Sequence, residues 1–189
     1  MTSCRDNAGR TGRGKTMNTD TFWQVAAELT LGTVDQHNRA WSAFRTRLPN
    51  KAQTAMYRGE QILVNLRSEL EAEMFRSGGP QDINVFYPQN REPPRLYPQP
   101  LRAGGKRQAM SDQEWREVAD EMDRSLSCID LLLKHLSGNV PAKTFDRALK
   151  YHDAILRAKM ALEPFAAKDL GNWAVLYPQD ASKQNEVRP

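Results

Sequence analysis

A chain of 189 residues has room for one domain with a substantial core and not for two large ones. With 39% hydrophobic residues, 26% charged residues and a net charge of +4, it suits a helical body with polar appendages. No apolar run approaches the roughly 20 residues needed to span a bilayer, so a membrane-spanning class is excluded on length.

The charge is unevenly placed. Residues 1–16 carry Arg5, Arg10, Arg13 and Lys15 against Asp6, and residues 91–107 carry Arg91, Arg95, Arg102, Lys106 and Arg107 against Glu92. Those segments hold +3 and +4, which leaves −3 on the rest of a chain whose total is +4. Basicity therefore belongs to segments expected to lack a helical period, while the helical body is mildly acidic.

The N-terminal residues 1–18 read as a disordered basic tail. No apolar stretch follows the cations, so a secretory signal is not expected, and Met17 is a second candidate start. Within the tail, Gly9 to Thr16 matches the phosphate-loop pattern GxxxxGK[ST]. That chemistry needs a buried strand feeding the loop and a helix leaving it, so that backbone amides converge on the phosphates. Thr2 to Ala8 are polar and too few for such a strand, and no parallel-sheet pattern follows; no nucleotide is expected. Cys4 and Cys128 belong to no CxxC or Cys/His spacing, which points away from a disulfide or zinc site and toward a cytoplasmic protein.

From Trp23 to Leu48, the residues Trp23, Ala27, Thr30, Val34, His37, Trp41, Phe44 and Leu48 recur at four- and three-residue steps, one face of a helix. Thr19 or Asp20 is the expected N-cap, and Gly32 is expected to kink or split the helix. His37 reads as a polar residue set in an apolar seam, fixing register through one hydrogen bond. Leu48-Pro49-Asn50 breaks the pattern, and a second helix over Lys51–Arg76 repeats the seam with Ala52, Met56, Gly59, Leu63, Leu66 and Leu70, widened by Ala55 and Ile62. Gly59 is expected to allow close approach of the partner helix, and Ser77-Gly78-Gly79-Pro80 ends the element.

Residues 78–110 are rich in Pro, Gly, Gln and Arg and show no helical period, so they read as a long irregular crossover. Ser111-Asp112-Gln113-Glu114 is a capping box announcing a third helix, with Trp115, Val118, Met122, Leu126, Ile129, Leu133 and Leu136 on its buried face. Its second half adds Cys128, Leu131 and Leu132 and is apolar nearly all round, as for a central helix or an oligomer contact. Gly138 closes it. Pro141 opens a fourth helix with Phe145, Ala148, Leu149, His152, Ile155, Leu156 and Leu162 on its apolar side, interrupted at Glu163-Pro164. Trp173 to Pro178 reads as an extended apolar piece.

The expected fold is all-α, a four-helix bundle made of two helical hairpins with a long Pro-rich crossover. The bundle domain would occupy 19–176, followed by a polar C-terminal tail at 177–189. Tyr-Pro-Gln occurs three times, at Tyr87, Tyr97 and Tyr177, each after an apolar residue. Packing is expected for the first and third, with Asn84–Tyr87 and Trp173–Tyr177 able to pair as a two-stranded ribbon, and exposure for the middle one.

The functional expectation is a non-enzymatic interaction or regulatory protein. It would bind a protein partner or self-associate through helix faces and the crossover, with Tyr87, Tyr97, Pro98, Arg95, Arg102, Lys106 and Arg107 as partner-binding residues. No cofactor and no metal are expected, because no helix offers the Glu-x-x-His pair of di-iron bundles: Val34, Leu132 and Leu149 precede the three histidines by three residues. Two alternatives stand beside this reading. The basic crossover could bind nucleic acid, its cations on phosphates and Tyr97 stacking on a base. The run Arg147-Ala148-Leu149-Lys150-Tyr151-His152 has an Arg-x4-His spacing that resembles the signature of HEPN ribonucleases. That resemblance implies paired helical bundles bringing Arg147 and His152 to an RNA phosphate, the Arg stabilising charge and the His moving a proton; Ala148 stands where that family usually has a polar residue.

Overall fold

A computed structural model describes residues 18–44, 47–88 and 109–177. They are all-α: α1 (Thr19–Phe44), α2 (Asn50–Arg76), α3 (Asp112–Leu136), α4 (Ala142–Met160) and the short α5 (Glu163–Leu170), with single 3-10 turns at Ile83–Val85 and Ala174–Leu176 and no strand among the described residues. The N-terminal tail, most of the crossover and the C-terminal tail from Pro178 lie outside them.

Asn18, not Thr19 or Asp20, caps α1, its Oδ1 accepting from the Asp20 amide at 3.2 Å. Nor does Gly32 break the helix, which runs unbroken through it; the position is solvent-facing and packing on both sides holds the segment helical. Thr30 and Thr33 are buried yet satisfied, their hydroxyls donating to the Ala26 and Leu29 carbonyls at 2.7 and 2.8 Å. α1 ends at Phe44, short of Leu48, which is buried in the turn, where Gln53 Nε2 donates to its carbonyl at 2.7 Å. Pro49 then starts α2 from an extended conformation.

Every apolar seam residue of α2 from Ala52 to Leu70 is buried. The helix ends where Gly78 takes φ +73, a left-handed conformation that favours glycine, while the Gly79 amide returns to the Met74 carbonyl at 2.9 Å. The capping box of α3 forms in full: Ser111 Oγ accepts from the Glu114 amide at 3.3 Å, and Glu114 Oε2 accepts from the Ser111 amide at 2.8 Å.

Side-chain contacts fix the directions of the helices. Phe22 stacks on His135, Gln36 reaches Glu121, and Arg47 pairs with Glu114, so α1 and α3 run antiparallel. Arg147 pairs with Glu69 while a groove lower down brings Arg157 to Ala55, so α2 and α4 run antiparallel as well. These two pairings are the most extensive, followed by α3 with α4. The α1–α2 pair is less extensive, with Trp23 near Ser77 at one end and His37 near Gly59 in the middle. α2 and α3 each oppose α1, and so run parallel to each other. At about 1.5 Å per residue, the connection between them must return roughly 40 Å, which a tight turn cannot do.

The expected ribbon does not form. Asp82 Oδ1 accepts from the Asn84 amide at 2.8 Å and Asn172 Oδ1 from the Ala174 amide at 2.7 Å, so each segment curls into a local turn. Each turn seats one apolar plug, Phe86 or Leu176, in the core, and both are fully buried. The first and third Tyr-Pro-Gln segments thus begin from packed residues. On α4 the buried face is rotated from the expected one: Tyr151 and Ala158 are buried beside Ala148 and Ile155, while Leu149 is exposed.

Gly79 and Gly32 should respond in opposite directions to alanine. A Cβ at Gly79 would sit 2.5 Å from Trp23 Cδ1, so Gly79→Ala should lower stability by about 1–3 kcal/mol. At Gly32 a Cβ meets nothing within 4 Å, so Gly32→Ala should raise stability by roughly 0.5–1 kcal/mol. Denaturant midpoints of the two variants would check both, and equal midpoints would contradict this packing.

Candidate functional site

The bundle interior contains a polar centre. His37 of α1 and Tyr151 of α4 meet with Nδ1 and the phenol oxygen 3.1 Å apart, both fully buried. Gly59 of α2 makes room for them: a Cβ there would lie 3.3 Å from Tyr151 Cε2 and 3.4 Å from His37 Cε1. Gly59 thus admits two rings at once. Burial holds the Tyr151 phenol protonated far above its ordinary range, with nearby Cys128 adding to the shift. It lowers the His37 imidazole to about 4. The phenol therefore stays a donor and the imidazole neutral.

Beside His37, a cavity of about 50 Å³ opens between α1 and α2, walled by Val34, Leu63 and Val64 with Glu60 and Arg67. His37 Nε2 is buried there without a hydrogen-bond partner among the described residues. Arg67 closes one side, donating from Nε to the Phe86 carbonyl at 2.7 Å, with its guanidinium 3.7 Å from the centroid of the Tyr87 ring. Tyr87 is half-buried, and its hydroxyl lies 3.1 Å from Ser68 Oγ. Of the sequence-predicted partner-binding residues, Tyr87 is thus held against α2, while Tyr97, Pro98, Arg95, Arg102, Lys106 and Arg107 lie outside the described residues, as do Cys4 and the Gly9–Thr16 segment.

Arg147 and His152 leave α4 on different flanks. Arg147 Nη2 lies 2.8 Å from Glu69 Oε1 on α2, whereas His152 Nε2 lies 3.5 Å from Asp130 Oδ1 on α3. Within one chain they are not brought together. No group of three or more His, Cys, Asp or Glu side chains able to hold a metal occurs among the described residues, and none of the described helices is long and apolar enough to cross a membrane.

The α3-facing flank of α4 carries Phe145, Leu149, Leu156 and Met160, interleaved with His152. Phe145 and Leu156 are half-buried, and Leu149 and Met160 are 40% and 60% exposed. Sequence periodicity had assigned most of this edge to the core; in three dimensions it lies at the rim. On α3, Leu131 points outward at 57% exposure, so the nearly all-apolar second half of that helix is covered on several sides but not on this one. No known protein family matches the sequence, and no curated protein or solved structure matches it significantly.

Burial of the His37 imidazole makes stability depend on pH. An unfolded imidazole, near 6.5, takes its proton before the folded one does, so stability from the neutral buried ring is fully present above that pH. It is lost as pH falls toward 4, by about 3 kcal/mol in all. Chemical denaturation at pH 7 and pH 4.5 should show a larger loss for the wild type than for His37→Leu; equal losses would remove His37 from the account.

Proposed function

We propose that this chain is a non-enzymatic interaction protein, a bundle of two helical hairpins, α1–α2 and α3–α4, that holds a protein partner or a second copy through outward helix faces. The hairpin description is supported by the antiparallel contacts within each consecutive pair, and by the parallel run of α2 and α3, which calls for the crossover at 78–110 between them.

The observation that carries the functional reading is the α4 edge. Phe145, Leu149, Leu156 and Met160 recur at four- and seven-residue steps on one flank, apolar where a solvated helix surface is normally polar. Fully burying an exposed side chain of this size is worth roughly 1.5–3 kcal/mol, and these, already partly covered, would contribute about half of that each, so the four together would anchor an interface. The Tyr- and Pro-rich composition of residues 78–110 would add a second recognition element.

Leu149→Glu/Met160→Glu should leave the fold intact, because both side chains already face water. Light scattering of the purified full chain should show a mass above the monomer, or a retained companion, and the double variant should lose it. A wild type that stays monomeric and retains nothing, with the variant identical, would overturn the reading. RNA degradation abolished by His152→Ala would replace it with the ribonuclease alternative.

A further inference from the structure

The groove between α2 and α4, on the flank of α4 opposite the apolar edge, gathers charge that the linear sequence disperses. Its floor is Ala55, Ile62 and Ala154, and its rims carry Arg58 on α2 and Lys150, Asp153 and Arg157 on α4, three cations against one carboxylate, enclosing about 340 Å³. All three cations are exposed, and none makes an ion pair with the described residues. The pattern extends along both helices: Lys51 stands seven residues before Arg58, and Lys143 seven before Lys150, both exposed and also without an ion pair. The exposed Asp153 lies 3.9 Å from His152, and a second carboxylate, Asp146, is exposed on α4 outside the lining.

From this arrangement we infer that the α2–α4 groove is a docking site for an acidic amphipathic helix of a partner protein. The spacing of the cations selects a helix. Seven residues of α-helix rise about 10.5 Å, so a helix laid along the groove would present carboxylates in successive heptads at the same interval as Lys143, Lys150 and Arg157. The floor adds to the selection: it is apolar, with Ala55 and Ala154 leaving room beside Ile62, so it suits a stripe of Ala and Leu between acidic flanks, the helix-in-groove mode of recognition. A nucleic-acid backbone would leave that apolar floor uncovered. The inference rests on the reading of the chain as an interaction protein, but uses residues separate from the α4 edge.

The test uses the purified full chain and a synthetic helical peptide of about three heptads, with an Ala/Leu stripe flanked by Glu, followed by fluorescence anisotropy. The peptide should bind with an affinity that falls as salt rises. Arg58→Glu/Arg157→Glu should weaken it by about tenfold or more, and a matched peptide with Lys in place of Glu should bind that double variant better than the wild type. Leu149→Glu/Met160→Glu should bind the acidic peptide as the wild type does. Loss of association in that edge variant with no peptide binding in the wild type overturns this inference alone, whereas peptide binding with an edge that never associates overturns the edge reading alone. Absence of charge-swap rescue, or an oligonucleotide bound through the same cations in preference to the peptide, also overturns the inference.

Discussion

Three helices meet at one point in this bundle, and the meeting sets their register. His37 from α1 and Tyr151 from α4 share a hydrogen bond in the interior, and the missing side chain at Gly59 of α2 leaves the space they occupy. A shift of either helix by one turn, about 5.4 Å, would break the bond and leave two polar groups in apolar surroundings. Apolar seams alone tolerate such shifts better, since one Leu can replace another along a heptad repeat. A buried polar pair with a matching hollow gives the interior a single arrangement.

Ties at the ends of the helices complete the arrangement. Asp169 at the end of α5 accepts from the Met110 amide at 3.0 Å and from Trp115 Nε1 at 3.2 Å, so the chain re-entering from the crossover is fastened at the first turn of α3. Lys159, 3% exposed, pairs with Asp123, which pins the last turn of α4 to the middle of α3. At the other end, Trp23 donates to Ser77 at 3.0 Å, and the His135 ring stacks on Phe22 at 4.6 Å. The interior chooses the register and the ends hold it.

Much of this was legible in the residues. The α2 seam, the capping box at Ser111 and the glycine stop after Arg76 each depend on local spacing, and each took the expected form. The single hydrogen bond expected of His37 is present, although its partner was not foreseen, because Tyr151 lies 114 positions away and periodicity says nothing about which helices become neighbours. On α4 an apolar stripe of Phe145, Leu149 and Leu156 competed with a face of Ala148, Tyr151, Ile155 and Ala158. The second face won because Ala148 and Ala158 let α4 approach its neighbours closely while the Tyr151 ring fills the space left at Gly59, and Phe145, Leu149 and Leu156 were left at the rim. The ribbon failed for a local reason: Asp82 and Asn172 offer the backbone a turn that strand pairing would have had to displace. The basic groove was hidden in the linear order, since its two rims lie on helices separated by the whole crossover.

The parallel course of α2 and α3 also bears on how the molecule is made. During synthesis α1 and α2 leave the ribosome first, yet the surfaces they cover most extensively belong to α3 and α4, still untranslated. The faces of α1 and α2 that α3 and α4 will cover must wait while the intervening segment is added, at the usual pace of about 5–20 residues per second. The nascent half-molecule thus carries exposed apolar surface for as long as the crossover and the two helices beyond it take to emerge.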